Sequence, residues 1–260
     1  MIVNLLRRNV IIRNAYAIFI LFTYEFALSN LKNIFWYIGN YSTIKKIRNE
    51  NFNNFKLAPQ LNDKTSFTPI EPVYFYQDTW AARKIFELKP KHHYDVGSSA
   101  KTLGILSQFV PITMIDIRPL PLDLPGLNFI EGSILDLPFD DNSLGSISSL
   151  CVVEHIGLGR YGDPIDAFGS EKSILELKRV VRVGGVIIFS VPVDIVNTVY
   201  FNAHRAFTRD YILTLFDGFE LLEEKYQYDY ELVEDFDADR GFGTGLFMFR
   251  KLGNNNRHIA

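Results

Sequence analysis

The sequence predicts an α/β domain: a mostly parallel sheet with helices on both faces. Three observations carry that expectation. Strand-like and helix-like segments alternate from His93 onward, as a parallel sheet with crossover helices requires. Gly184-Gly185 leads into Val186 to Val191, a run rich in β-branched residues, which suits a strand buried on both faces. An acid, Asp116, stands 116 − 97 = 19 residues beyond Gly97, the separation expected between the first strand-to-helix turn and the end of the second strand. With 260 residues, 47% of them hydrophobic, the chain can bury a core as one large domain or as a domain plus an extension, which excludes disorder as its main state.

Taken in order, the N-terminus comes first. Arg7, Arg8 and Arg13 precede an apolar run from Ala15 to Tyr24, which Glu25 interrupts. The run is short of the roughly 20 residues a spanning helix needs, and Ala27-Leu28-Ser29 makes a poor cleavage site. The expectation is a helix that packs on the body or lies on a membrane surface. From Met1 to Glu50 seven basic residues (Arg7, Arg8, Arg13, Lys32, Lys45, Lys46, Arg48) face two acidic ones (Glu25, Glu50). That local excess allows contact with anionic lipid, with a solvated helical face as the alternative. Asn30 to Asp63, rich in Asn and Lys, reads as a connector, so residues 1–69 form an extension and 70–260 the α/β domain.

Within that domain, Trp80, Ala81, Ile85 and Phe86 have helical spacing before Pro90. Strands follow at His93 to Val96, Ile112 to Ile117, Leu127 to Glu131, Ser146 to Val152 and Val186 to Val191, with helices at Leu103 to Phe109 and Glu171 to Val181. A helix from Arg209 to Phe216, a strand near Phe219 to Tyr228 and a last strand from Gly245 to Lys251 complete the pattern. The acidic stretch from Glu231 to Asp239 reads as a surface loop. Tyr76 and Trp80 read as core residues. Charge is 27 Lys+Arg against 30 Asp+Glu, net −3, which gives no global basic excess for nucleic acid. One cysteine, Cys151, permits no intramolecular disulfide and no CxxC knuckle. It reads as a small residue inside a strand, and the composition fits a reducing compartment, the cytoplasm.

The chemistry begins at the turn Asp95-Val96-Gly97-Ser98-Ser99. An acid at the next strand end can accept hydrogen bonds from two ribose hydroxyls, so the pattern implies a nucleoside cofactor. A dinucleotide fingerprint would need three glycines for the helix to approach a pyrophosphate, yet Ser99 holds the second position and no third glycine follows at the expected spacing. S-adenosylmethionine, which has no phosphate, suits the turn better. Ser133-Ile134-Leu135-Asp136-Leu137-Pro138-Phe139 follows the third strand, Ser148-Ser149-Leu150 ends the fourth, and Arg179-Val180-Val181-Arg182-Val183-Gly184-Gly185 precedes the fifth.

On these residues the chain resembles the class I S-adenosylmethionine-dependent methyltransferases, whose motif order it matches from Tyr94 to about Val193. The resemblance implies a Rossmann-like fold with a seven-stranded sheet. It also implies that Asp95, Gly97 and Ser98 line the methionine end, that Asp116 holds the ribose, and that Ile117, Ser133 and Ile134 surround adenine, with Leu150 completing the cofactor set. Ser99 replaces the usual second glycine, and Ser133 stands where many relatives carry an aspartate.

A closer resemblance, over roughly Pro59 to Lys251, is to a bacterial family catalogued as domain of unknown function 268. It rests on Glu154-His155-Ile156-Gly157-Leu158-Gly159-Arg160-Tyr161-Gly162-Asp163 and Asn202-Ala203-His204-Arg205. It implies a glycan or activated-sugar acceptor in surface-polysaccharide metabolism.

Read physically, Glu154 and His155 follow the fourth strand on the sheet's carboxyl edge, where such folds bind ligands. Three glycines around Arg160, Tyr161 and Asp163 describe either a binding loop or a tight turn held by an Arg160–Asp163 pair. His155 and His204 are candidate bases for an acceptor hydroxyl, with Glu154 beside them, and a structural histidine is the alternative. Arg160 and Arg205 could clamp a phosphate or carboxylate on the acceptor, and Tyr161, Asp163 and Asn202 complete the acceptor set. His92-His93, on the opposite edge, read as exposed imidazoles. No HxH or HExxH spacing supports a metal.

Overall fold

The computed structural model describes residues 31–47, 51–52 and 54–253. The basic and apolar segment before residue 31 lies outside them. The chain divides into two compact units, Met1–Pro69 and Ile70–Ala260. In the first, residues 31–46 form a helix, α1, so the stretch read as a connector opens with regular structure. No helix among the described residues is long and apolar enough to cross a membrane.

The second unit is a Rossmann-like α/β domain. Its elements are α2 (Pro72–Leu88), β1 (His93–Val96), α3 (Ala100–Leu106), β2 (Ile112–Asp116), β3 (Leu127–Glu131), β4 (Leu144–Leu150), a 3-10 turn (Val153–His155), α4 (Gly169–Val180) and β5 (Val181–Val193). After these come β6 (Thr198–Tyr200), β7 (His204–Ala206), α5 (Arg209–Leu215), β8 (Phe219–Tyr228), β9 (Glu231–Val233) and β10 (Gly243–Lys251). The main sheet runs β3-β2-β1-β4-β5-β10-β8-β9, while β6 and β7 pair as a separate antiparallel ribbon. Pairing is parallel from β3 across to β5 and antiparallel from β5 to β9. The expected seven strands are present, and β9 adds an eighth at the edge. Its three residues open the acidic stretch read as a loop.

Strand alternation builds two cores. On one face Ile112, Met114, Val186, Ile188, Leu246 and Met248 meet Trp80, Ala81 and Ile85 of α2 and Leu103 of α3. On the other, Ile115, Ile187, Phe189, Phe247 and Phe249 meet Ile174 and Leu177 of α4 and Ile212 and Phe216 of α5. Neighbours along a strand point to opposite faces, so each apolar run supplies both layers. The run read as Val186 to Val191 is part of a longer strand, because pairing with β10 continues to Val193. Tyr76 is only half-buried, and its hydroxyl donates to Tyr230 O at 2.7 Å.

A polar seam crosses this core. His93 is completely buried, correcting the exposed imidazole expected from its place at the amino edge. Its ring nitrogens lie 2.8 Å from Ser146 Oγ and 2.9 Å from Ser148 Oγ, and Ser148 Oγ in turn donates to Asp95. Burial drives the imidazole down to about 3, so it stays neutral. The two serines on β4 satisfy it, as buried polar atoms require.

Candidate functional site

The sheet's carboxyl edge opens into a narrow cavity of about 100 Å3, smaller than the roughly 300–1,000 Å3 of typical small-molecule sites. Val96 and Gly97 close one side. Ile115, Asp116, Ile117 and Arg118 at the end of β2 and Gly132 to Leu135 after β3 form another. The third side is Cys151 and Val152 after β4, continuing to His155, Ile156, Tyr161 and Asp163.

The turn after β1 is built from within. Gly97 has φ +72°, and a Cβ there would lie 3.0 Å from a Val152 methyl group, so this position admits only glycine without strain. Asp95 is fully buried: its carboxylate accepts from Ser98 N at 3.0 Å and Ser98 Oγ at 2.7 Å as well as from Ser148. Ser98 Oγ accepts from Leu150 N at 3.0 Å. Burial raises the Asp95 carboxyl to about 6 against the lowering effect of those hydrogen bonds. Asp95, Ser98 and Leu150 therefore fix the turn from behind, and only Gly97 of this group lines the cavity. Ser99, where a second glycine was expected, caps α3 by accepting from Thr102 N at 3.4 Å. Its side chain performs a task that glycine cannot.

Asp116 lines the cavity with 7% of its surface exposed. Its carboxylate is engaged: Oδ1 accepts from Arg118 N at 2.8 Å and Arg118 Nε at 3.1 Å, and Oδ2 accepts from Arg118 Nη2 at 3.1 Å. Ile117, Ser133 and Ile134 also line the wall. Ser133 Oγ accepts from Leu135 N at 3.1 Å, which holds the loop after β3.

The loop after β4 is held by its own backbone. Gly157 has φ +82°, and a Cβ there would meet Asp166 O at 2.2 Å. Asp163 Oδ2 accepts from Gly157 N at 2.6 Å and Gly159 N at 3.4 Å, and Oδ1 from Tyr161 N at 3.2 Å. Burial raises its carboxyl, but the donors outweigh burial and hold it below its ordinary value. Asp163 thus staples the loop through amides, and the Arg160–Asp163 pair weighed above does not form. Arg160 instead donates to Ala203 O at 2.8 Å, and no carboxylate among the described residues pairs with it.

Arg205 is 9% exposed and donates to Ile156 O at 2.6 Å, Ser170 Oγ at 3.0 Å and Asp166 O at 3.0 Å. This corrects its reading as an anion clamp, since its guanidinium is spent tying β7 to the loop and to α4. Asn202 is exposed in the β6–β7 turn. His204, on β7, packs against Tyr200 and Phe242 with ring centroids 5.0 and 5.6 Å away, and its buried Nε2 has no hydrogen-bond partner among the described residues. Neither residue lines the cavity.

His155 does line it. Its Nδ1 lies 2.6 Å from Ala203 O. The shorter contact, to a carbonyl that only accepts, favours the proton on Nδ1 and the lone pair on Nε2, although Arg160 Nη1, which only donates, also lies 3.2 Å from Nδ1. Burial lowers the imidazole to about 4 against the opposing pull of Ala203 O, with Arg160 and His204 lowering it further. Glu154, 1% exposed, lies beneath with Oε1 3.6 Å from His155 Nε2, and its buried Oε2 has no hydrogen-bond partner among the described residues. Burial raises its carboxyl to about 8, so at neutral pH it is a protonated acid.

The sequence did not single out Arg118, although an arginine two residues past a strand-end acid is a readable signal. Nor was Cys151 placed correctly. It lies just past β4 with φ 52° and faces the cavity, and burial with nearby Glu154 raises its thiol well above the ordinary value.

Three comparisons bear on this geometry. The family model for a Caenorhabditis protein of unknown function, DUF268, matches residues 140–248. The match includes the Glu154–Asp163 loop and Asn202–Arg205, and omits Gly97 and Asp116. It covers less of the chain than the resemblance led one to expect, and its description names Caenorhabditis rather than bacteria. A search of curated proteins finds no match. Among solved structures, a proposed sarcosine dimethylglycine methyltransferase from Galdieria sulphuraria is 15% identical, with TM-score 0.52 over 71% of this chain and 86% of that one. The YcgJ protein from Bacillus subtilis is 12% identical, with TM-score 0.50 over 69% of this chain and all of that one (100%). At such identities the likeness shows the fold, which is the Rossmann-like methyltransferase fold.

Proposed function

We propose that the chain is an S-adenosylmethionine-dependent methyltransferase acting on an oxygen of a sugar, glycan or other small polar acceptor, in surface-polysaccharide metabolism. The observation that carries this reading is convergence: the Gly97 turn, Asp116 and Ser133-Ile134 open on one cavity at the carboxyl edge of the sheet. The cofactor, when bound, supplies an electrophilic methyl carbon on sulfur. The protein's own residues account for the rest. Asp116 would accept from the ribose hydroxyls, Ile117 and Ile134 would give adenine an apolar wall, and Gly97 would let the backbone approach the methionine end. His155, neutral with a lone pair on Nε2, would take the acceptor proton. A base of such low pKa cannot ionise a sugar hydroxyl beforehand, so proton loss accompanies methyl transfer, and alignment within the cavity contributes much of the rate. Arg160, without a carboxylate partner, would meet negative charge on the acceptor.

One observation favours a second reading, a binding protein that has lost catalysis on this fold: Arg118 occupies both oxygens of Asp116. Calorimetry with S-adenosylmethionine and S-adenosylhomocysteine separates the two. The methyltransferase reading expects binding of both, weakened by about 1–3 kcal/mol in Asp116→Ala through lost hydrogen bonds. No binding of either ligand would leave the scaffold reading standing. Mass spectrometry of nucleotide sugars and glycans incubated with the protein and labelled methyl donor then identifies the acceptor. A cytoplasmic site of action, with peripheral membrane contact through the basic N-terminal segment, belongs to the same proposal.

A further inference from the structure

We propose that Arg118 gates the nucleoside end of the cavity, so that a ligand carrying two ribose hydroxyls gains the Asp116 carboxylate only by displacing the Arg118 guanidinium. The inference rests on the cofactor reading above and adds a residue with an opposing role.

Asp116 is fixed in the wall, with 7% of its side chain exposed, whereas the Arg118 side chain is 62% exposed. The pair is therefore asymmetric. The carboxylate cannot leave, while the guanidinium can move into water at little cost. Three donors now satisfy the carboxylate, two from the guanidinium and one from the Arg118 backbone. The backbone donor stays whatever the side chain does, and the two guanidinium bonds number the same as the bonds a vicinal diol would donate. A ligand lacking one hydroxyl replaces only one of them, so the pair discriminates by hydroxyl count.

Arg118 also has a second contact in the same position. Its guanidinium lies 5.0 Å from the centre of the Tyr161 ring, a cation–π distance, and that ring packs edge-on against His155 with centroids 5.7 Å apart. The same side chain thus ties the end of β2 to the loop that carries the candidate base. With the Asp116 contact given up, the guanidinium keeps Tyr161 beside Arg160, which lies 5.2 Å from the same ring, so both cations stay at the cavity mouth.

The gate makes a prediction of unusual sign. Removing a residue that contacts a ligand weakens binding, but removing a residue that competes with the ligand strengthens it. Arg118→Ala leaves Asp116 short of two donors in the free protein, and the ligand then supplies them without competition. S-adenosylhomocysteine measured by calorimetry should bind Arg118→Ala about three- to tenfold more tightly than wild type, the range of an exposed-to-bidentate ion pair. The gain should vanish when Arg118→Ala is made in an Asp116→Ala background, because the two effects act through one contact. Unchanged or weaker binding by Arg118→Ala, while wild type binds, overturns the gate and leaves the methyltransferase reading intact. Failure of both wild type and Arg118→Ala to bind overturns the two together.

Discussion

The two sides of the cavity are held by different means. On the nucleoside side the functional atoms sit at strand ends, and the sheet fixes them: Gly97 directly follows β1 and Asp116 ends β2, strands whose registers are locked by parallel pairing of His93 to Val96 with Ile112 to Ile115. On the other side His155, Tyr161 and Asp163 belong to a loop with no ladder of its own. It is held by carbonyls and amides answering side chains: Asp163 from inside, Arg205 from below, and Ala203 O on His155. A strand end loses its place only when the sheet unfolds, whereas a stapled loop can lose its geometry one hydrogen bond at a time. Substitutions on the nucleoside side should therefore change affinity while the fold persists, and those on the loop side should change turnover and local stability together.

The largest expected effect tests the loop at its chemical centre. His155→Ala should lower turnover by about 10²–10⁴, the contribution of a positioned base, with cofactor affinity nearly unchanged, since the Asp116 side is held independently. Rates with an identified acceptor together with calorimetry check this, and a fully active variant removes His155 from the chemistry.

Next comes Arg205. Arg205→Met keeps an apolar stem but removes the donor to Ile156 O and Ser170 Oγ and leaves Asp166 O with Gly169 N at 3.3 Å. We expect a loss of about 1–3 kcal/mol in denaturant unfolding, since these are charge-assisted bonds to partly buried acceptors. Amide exchange should quicken across 156–170 and stay slow in β1 and β2. Uniform quickening across both regions would show that loop and sheet open as one unit rather than separately.

The same contrast governs what the sequence made legible. Strands and helices from His93 onward could be read because apolar alternation and β-branched runs are local signals. Gly97, Asp116, Ile117, Ser133 and Ile134 could be placed at the cavity because strand ends follow from strand positions. Side chains in the loops could not. Asp163 answers amides only two, four and six residues away, a local turn that its charge disguised. Arg205 carries a functional-looking charge, yet its partners at Ser170, Asp166 and Ile156 lie 35, 39 and 49 residues away, and no spacing along the chain encodes that. His93 was misread for the same reason: its partners Ser146 and Ser148 lie 53 and 55 residues away. Asp95 shows the limit even for motifs, since its position was legible but not the serines that turn its carboxylate away from the cavity.

The smallest expected effect concerns Glu154. At neutral pH its carboxyl is protonated, so Glu154→Gln, which copies the neutral acid in shape, should change turnover less than about twofold, whereas a relay needing an ionised carboxylate would lose far more. The variant should differ instead in how stability follows pH. In the unfolded chain the carboxyl gives up its proton near 4.5, and in the folded protein burial holds that proton until about 8. Between these values the folded state binds more protons, so wild-type stability falls as pH rises, by up to about 1.4 kcal/mol per pH unit for one group. His93 pulls the other way, because its folded value near 3 lies below the ordinary 6.5, so its contribution declines as pH drops from 6.5 toward 3. Both proteins share that acid-side slope, and subtracting their unfolding curves isolates Glu154. The difference should grow in favour of Glu154→Gln from pH 5 to 8 and then level off. A difference that stays flat would mean that Glu154 ionises normally, and that the acid beneath His155 is a carboxylate after all.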